Sequence, residues 1–350
     1  MMYSKATNPM KIYKLLPLLL LSTHAFAQSV DISPMNFGGN TNTPTTSASG
    51  NPLADKLAQL AQSSASGGVG GNLLGTAKGQ ATNALSQQGQ SVLNNLFSTE
   101  RGTTEIGATT MQNGLPIYNI LLVRPIWESA DKIHTTFTQM SAFHQDNRTT
   151  GNFGLGYRQL VADKKVLLGT NVFYDYEFPY GNQRSSVGAE IRSTVGEINL
   201  NYYAGTSGWV NAANGVQEKS LGGYNAELAV ALPYMPTTKL HANAFSWTGV
   251  IGLPNTNGTQ YSVTGPIWYG LNLDIGRVDY NNGAMPNSNY AKLMWIFGED
   301  LSPNQKQFRF SENAYELKSM EDRRYEKVRR ENLIVKAQTN SSFGIYAVGY

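Results

Sequence analysis

Leu168-Gly169-Thr170-Asn171-Val172-Phe173-Tyr174-Asp175-Tyr176-Glu177-Phe178 alternates along its length between two kinds of side chain. Leu168, Thr170, Val172, Tyr174, Tyr176 and Phe178 form an apolar, largely aromatic set, while Gly169, Asn171, Phe173, Asp175 and Glu177 are mostly small or charged. A strand repeats every two residues, so one face of this run meets a greasy solvent and the other a wet one. That is the pattern of a transmembrane barrel strand. Half-buried strands of soluble sandwiches share it, so the rest of the chain has to decide.

The amino-terminal end decides first. Lys11 to Lys14 form a short basic region, Leu15 to Leu21 an apolar core, and Ala25-Phe26-Ala27 a small-x-small cleavage site before Gln28, which together read as a secretory signal cut between Ala27 and Gln28. The apolar core is too short to span a bilayer as a helix, which takes about 20 residues. No Cys occurs anywhere, so no disulfide staples the fold and no thiolate serves as metal ligand or nucleophile. The 35 Gly and 19 Tyr suit crowded barrel walls and interfacial girdles. A formal charge of +3 is too small to point to nucleic acid.

Residues 28–72 are rich in Ser, Thr, Asn and Gly and read as a low-complexity periplasmic lead. Within 73–98, Leu74, Ala81, Leu85, Val92 and Leu96 recur at helical spacing and predict a periplasmic helix that relies on docking, because Gly79 and Gly89 weaken it. From Thr104 the period changes to two. Strands are expected at 104–111, 117–126, 134–145, 151–161, 166–178, 184–194, 197–206, 224–232, 238–247, 259–265, 270–281 and 289–298, with Gly265-Pro266 interrupting the tenth. Connections at 128–132, 162–165 and 194–196 are tight, whereas 207–223, 248–259 and 282–288 are longer and polar. This is an all-β, antiparallel up-and-down barrel of about twelve strands over 104–298, with short turns at one mouth and long loops at the other.

Residues 309–350 are a linker and tail. Ala314 to Val328 predicts a helix, polar nearly all round, and such a helix is ordinarily just solvated. Here the alternation aims Asp175, Glu190, Glu197, Glu227 and Asp274 into a narrow lumen, where a segment bearing Arg323, Arg324, Lys327, Arg329 and Arg330 would find partners. The tail Phe343 to Tyr350 also alternates and ends in an aromatic residue, so it is read alternatively as a closing strand.

From about Gly79 to Val335 the sequence resembles the translocator domain of inverse autotransporters, the intimin and invasin family. The resemblance is carried by the helix-then-strand opening Ala84 to Thr110, by Leu121-Leu122-Val123-Arg124-Pro125-Ile126, by Asn147 to Arg158, and by Leu168 to Asp175. It continues in Gln183-Arg184 with Gly188-Ala189-Glu190, Asn201-Tyr202-Tyr203 with Ser207-Gly208-Trp209, and Arg324-Tyr325 to Val335. It implies a monomeric twelve-stranded barrel in outer-membrane lipid, with a linker threaded through the pore to export a carboxy-terminal passenger. It also implies that periplasmic chaperones and the barrel-assembly machinery handle the chain, the latter reading Trp295 and Phe297 on the last strand. Only residues 336–350 follow Val335 and no peptidoglycan-binding module shows in 28–72, so the expected product is a translocator or surface anchor whose passenger is vestigial, absent or supplied in trans. The rival reading is a small porin-like channel with an open lumen.

Catalysis has little to stand on. His24 lies in the signal, and His134, His144 and His241 have no ligand spacing. His144 beside Asp146 lacks a placeable nucleophile, and Gly154-x-Gly156 lies in a strand with no helix start after it, as thin wall beside bulky neighbours. Asp175, Glu177 and Glu190 are explained without acid-base work by lumenal pairing with Arg158, Arg192 or the basic linker. No cofactor, metal or nucleic-acid partner is expected, and the chain is not read as an enzyme.

Overall fold

The computed structural model describes residues 101–250, 255–281 and 285–339. The cleavage site Ala27/Gln28, the lead 28–72, the helix at 73–98 and the tail from Phe343 lie outside them. The chain builds β1 (Thr103–Met111), β2 (Ile117–Glu128), β3 (His134–Gln145), β4 (Arg148–Val161), β5 (Val166–Phe178), β6 (Gln183–Arg192) and β7 (Gly196–Gly205). A short pair, β8 (Val210–Asn211) and β9 (Gln217–Ser220), interrupts the series. It resumes with β10 (Gly223–Leu232), β11 (Met235–Trp247), β12 (Thr256–Trp268), β13 (Leu271–Tyr280) and β14 (Ser288–Phe297). After the last of these come α1 (Pro303–Lys306) and β15 (Lys336–Gln338).

Twelve of these strands close into one antiparallel barrel, each hydrogen-bonded to its sequence neighbour, with β7 meeting β10 and β14 meeting β1 to seal the cylinder. A closed barrel leaves no unpaired strand edge, which a lipid-exposed sheet cannot tolerate. The period-two alternation is its direct cause: in β5, Val172 is 52% and Tyr174 45% exposed on the outer face, while Asp175 is 0% exposed inside.

The tenth barrel strand is longer than expected, running through Gly265-Pro266 to Trp268. Pro266 is accommodated because the register slips between Pro266 and Trp268, and β2 does the same between Pro125 and Trp127. A bulge accommodates the ladder hydrogen bond that proline, having no amide hydrogen, cannot donate. At the short-turn mouth, Ala162, Asp163 and Lys164 all take positive φ to reverse β4 into β5, and Ser193 Oγ receives the amides of Val195 and Gly196 between β6 and β7. At the other mouth the β7–β10 connection carries β8 and β9, and β15 joins them as a third antiparallel strand in the order β15-β9-β8.

The expected helix over Ala314–Val328 does not form. A single 3-10 turn at Glu321–Arg323 is all the helix in that segment, and the chain is otherwise extended or irregular. With no apolar stripe, the segment has no face to dock as a helix.

Candidate functional site

After β14 the chain follows the short-turn mouth before it turns inward. Gly270 N–H donates to Lys306 O (3.1 Å), Ser311 N–H to Tyr234 O (2.9 Å), Thr194 Oγ1–H to Glu316 O (2.6 Å) and Met320 N–H to Lys164 O (2.8 Å). These partners lie in four successive turns, so the segment is strapped around the rim. It arrives beside the β2–β3 turn, where Arg324 pairs with Glu128 and Thr103 Oγ1–H donates to Tyr325 O (2.8 Å).

From there the chain crosses the lumen without helix or strand, bending at Glu326, Arg330 and Leu333. Its backbone groups have no strand beside them, and buried amides and carbonyls must find partners. Wall side chains supply these: Arg158 donates to Arg324 O (2.5 Å) and Glu326 O (2.7 Å), Arg192 to Lys327 O (3.0 Å), and Asn201 to Arg329 O (2.9 Å). Arg184 donates to Glu331 O (2.8 Å) and Asn152 to Asn332 O (2.9 Å). Gln139 Oε1 accepts from Val328 N–H (2.8 Å), and Tyr203 Oη from Glu331 N–H (2.7 Å). Tyr325 and Val328 pack among Leu121, Val123, Phe137 and Phe173. Gly154 and Gly156 make room for those rings, since a Cβ there would lie 2.3 Å from Phe173 and 2.2 Å from Phe137.

The charges form a ladder along this path. Arg323 pairs with Glu197, Lys327 with Glu105 (2.6 Å), Arg329 with Glu227 (2.5 Å) and Arg330 with Asp175 (2.7 Å). At the long-loop mouth Lys336 pairs with Glu177, and the β15–β9 pairing sets Lys336 opposite Ser220. Of the five acids read from sequence, Asp175, Glu197 and Glu227 therefore face linker cations. Glu190 is held instead by two wall residues, Arg158 (2.5 Å) and Arg192 (2.6 Å). Asp274 is buried and accepts from Tyr290 Oη–H at 3.5 Å.

Sequence reasoning missed Glu105 and Glu218. Glu105 is followed by outward-facing Ile106 and Ala108, an alternation too short to stand out; Glu218 lies in the short strand β9, inside a connection that shows no strand pattern in the sequence. It also missed the wall cations Arg184 (2.9 Å from Asp175) and Lys239 (paired with Glu197). Trp295, 49% exposed, and Phe297 lie with ring centroids 5.8 Å apart and planes tilted by 57° on β14, the strand that closes against β1. His144 Nδ1 sits 3.0 Å from Thr149 Oγ1 across the β3–β4 hairpin.

The family described as "Inverse autotransporter, beta-domain" matches residues 53–332. The chain belongs to the inverse autotransporter β-domain family. Among relatives of this inverse autotransporter domain, Intimin of Citrobacter freundii is 26% identical over 269 residues, covering 74% of this chain and 27% of its own length. Intimin of Escherichia coli O127:H6 is 27% identical over 269 residues with the same coverage. The chain thus spans about 27% of the length of these curated relatives. A solved chain from work on the in-meso crystallization of membrane proteins superimposes with a TM-score of 0.59 at 22% identity, covering 68% of this chain and 99% of that one, and shares the fold. This inverse autotransporter barrel resides in the outer membrane. Its short-turn mouth accordingly faces the periplasm and its long loops the exterior.

Proposed function

We propose that the chain is an outer-membrane translocator and surface anchor whose linker carries whatever follows Gln338 from the periplasmic mouth to the cell exterior. One observation carries the reading: a continuous path through the lumen from Arg324, at the periplasmic turns, to β15, paired with the exterior strand β9. The basic residues Arg323, Arg324, Lys327, Arg329 and Arg330 hold that path against the acidic wall. Trp295 and Phe297 present the aromatic last strand to the barrel-assembly machinery, and periplasmic chaperones keep the chain unfolded until it inserts. A porin-like channel is the weaker reading, because the linker residues Val328, Arg330 and Val335 are buried in the lumen such a channel would need open.

The absence of native cysteine gives a clean test. In the full chain, Thr339→Cys should react with a membrane-impermeant maleimide on intact cells, and Glu312→Cys only after the outer membrane is permeabilised. Labelling of both positions on intact cells, or of Thr339→Cys only after permeabilisation, overturns the threaded reading.

A further inference from the structure

The linker does not fill the lumen evenly. Thr103 of β1 holds the Tyr325 carbonyl at the mouth, but within the lumen the side chains that hold linker carbonyls, Arg158, Asn152, Arg184, Arg192 and Asn201, belong to β4, β6 and β7. Against the opposite wall, on the periplasmic side, lies a cavity of about 90 Å³. It reaches from Thr237, Gly265 and Gln305 at the mouth to His241 and Asp274 at mid-wall. Two buried atoms of residues lining it, His241 Nε2 and Thr264 Oγ1, have no protein hydrogen-bond partner. Buried polar atoms are rarely left so, and a polar cavity of this size holds several waters that can serve them.

Farther along the same wall, toward the exterior, the lining changes character. Phe245, Trp247, Val278, Tyr280 and Tyr290 form one cluster with Tyr203 and with the linker's Val335. Phe245 and Tyr280 meet edge to face at 5.7 Å, and Tyr203 and Trp247 lie tilted at 5.1 Å. Two rings lie over lumenal glycines: a Cβ on Gly258 would sit 2.4 Å from Phe245, and one on Gly276 2.6 Å from the Tyr290 ring. The rings are therefore seated in the wall and closely confined.

We propose that holding and sealing are divided between these two tiers: the ion pairs retain the linker, whereas the aromatic tier of Phe245, Trp247, Tyr280 and Tyr290 is the barrier to ions. The periplasmic half of the lumen is then a blind, water-filled vestibule. Charged and hydrated groups let water and ions pass beside them, but an apolar constriction strips an ion of its hydration shell and blocks by dewetting. This inference rests on the threaded linker of the proposed function and goes beyond it by assigning the seal to the wall.

Planar-bilayer recording of the full chain tests it. Phe245→Ala/Tyr280→Ala should conduct on the order of fivefold or more above wild type, while Thr264→Ala, which only widens the vestibule, stays within about twofold of wild type, since only the first opens the aromatic constriction. The reverse order overturns the proposal. If the aromatic pair fails to give a folded band, Thr264→Cys decides, with labelled Thr339→Cys reporting which chamber faces the exterior. A charged thiosulfonate should modify Thr264→Cys at least about tenfold faster from the periplasmic chamber, because the tier bars its approach from the other. Equal rates, or no reaction from either side, reject the vestibule. Surface labelling of Thr339→Cys that persists in these variants shows the linker still threaded, so failure of the seal is distinguishable from failure of the anchor.

Discussion

Replacing Asp175 by Asn removes one negative charge from between two buried guanidinium groups. Arg184 Nη2 lies 2.9 Å and Arg330 Nη2 2.7 Å from Asp175 Oδ2, and all three side chains are fully buried. Asn keeps the shape and the neighbour Asn152, whose Nδ2 donates to Asp175 Oδ1 at 2.8 Å, so packing is nearly unchanged. What changes is that two cations stacked on Phe173 and Tyr203 lose their counter-charge. Breaking a buried pair by removing one partner costs about 3–5 kcal/mol, because an uncompensated charge stays buried. At about 1.4 kcal/mol per decade, that is on the order of a hundred- to several-thousand-fold in the folding equilibrium. The measurement is urea unfolding in lipid vesicles, read by tryptophan fluorescence and by the heat-modifiable band. Adding Arg330→Met removes one positive charge as well, returning the cluster to its original net charge. The double variant should recover much of the loss. A single variant that costs under about 1 kcal/mol, or a double variant as weak as the single, refutes the reasoning from buried charge.

Two further outcomes follow from the wall and the exterior cap. Val172→Arg, on the lipid face, should destabilise by roughly 2–4 kcal/mol, while Asn171→Ser, on the lumen face, should cost far less; equal costs in the same unfolding assay would reverse the facing of β5. In the exterior cap, Glu218 accepts from Arg148 (2.8 Å, both nitrogens), Asn182 (3.0 Å) and Gln338 (2.9 Å). Burial pushes its carboxyl up, but the Arg148 hydrogen bonds and the Lys336 and Arg148 charges outweigh that and hold it below the ordinary value. A depressed folded pKa contributes stability above the unfolded value, near 4.3, which is lost as pH falls through the folded one. Proteolysis of the β9–β15 cap should therefore accelerate in that acidic window, and Glu218→Gln should abolish the step.

The barrel was legible in the sequence because its wall separates two solvents, and a two-solvent wall writes itself as alternation: Val172 against Asp175 in β5, Ile198 and Leu200 against Glu197 and Asn199 in β7. Inward-facing acids were legible for the same reason. Their partners were only half legible. Asp175 meets Arg330 as the linker's charge suggested, but also Arg184, which the sequence did not single out, while Glu190 takes Arg158 and Arg192, the wall arginines read as alternatives to the linker. Pairing across a lumen depends on strand stagger, which alternation does not encode. The linker's conformation was not legible at all. A charged segment without periodicity reads as helix by propensity, yet Arg158, Arg192, Asn201 and Arg184 capture its carbonyls one by one, and tertiary partners override propensity.

The non-helical linker bears on how the protein answers a mechanical load. A helix under tension lengthens, from about 1.5 Å per residue to about 3.3 Å, before it passes force to its ends. The stretch from Arg324 to Lys336 contains no helix to uncoil, only a turn at Arg324–Tyr325 and bends at Glu326, Arg330 and Leu333. A pull at the surface runs along the pore axis, while the wall's grips on Lys327, Arg329, Glu331 and Asn332 reach in from the side. They are loaded in shear and resist together instead of peeling in turn. Behind them the strap around the rim holds the linker to four turns of a closed cylinder, so a tug from outside is spread through the barrel into the membrane that surrounds it.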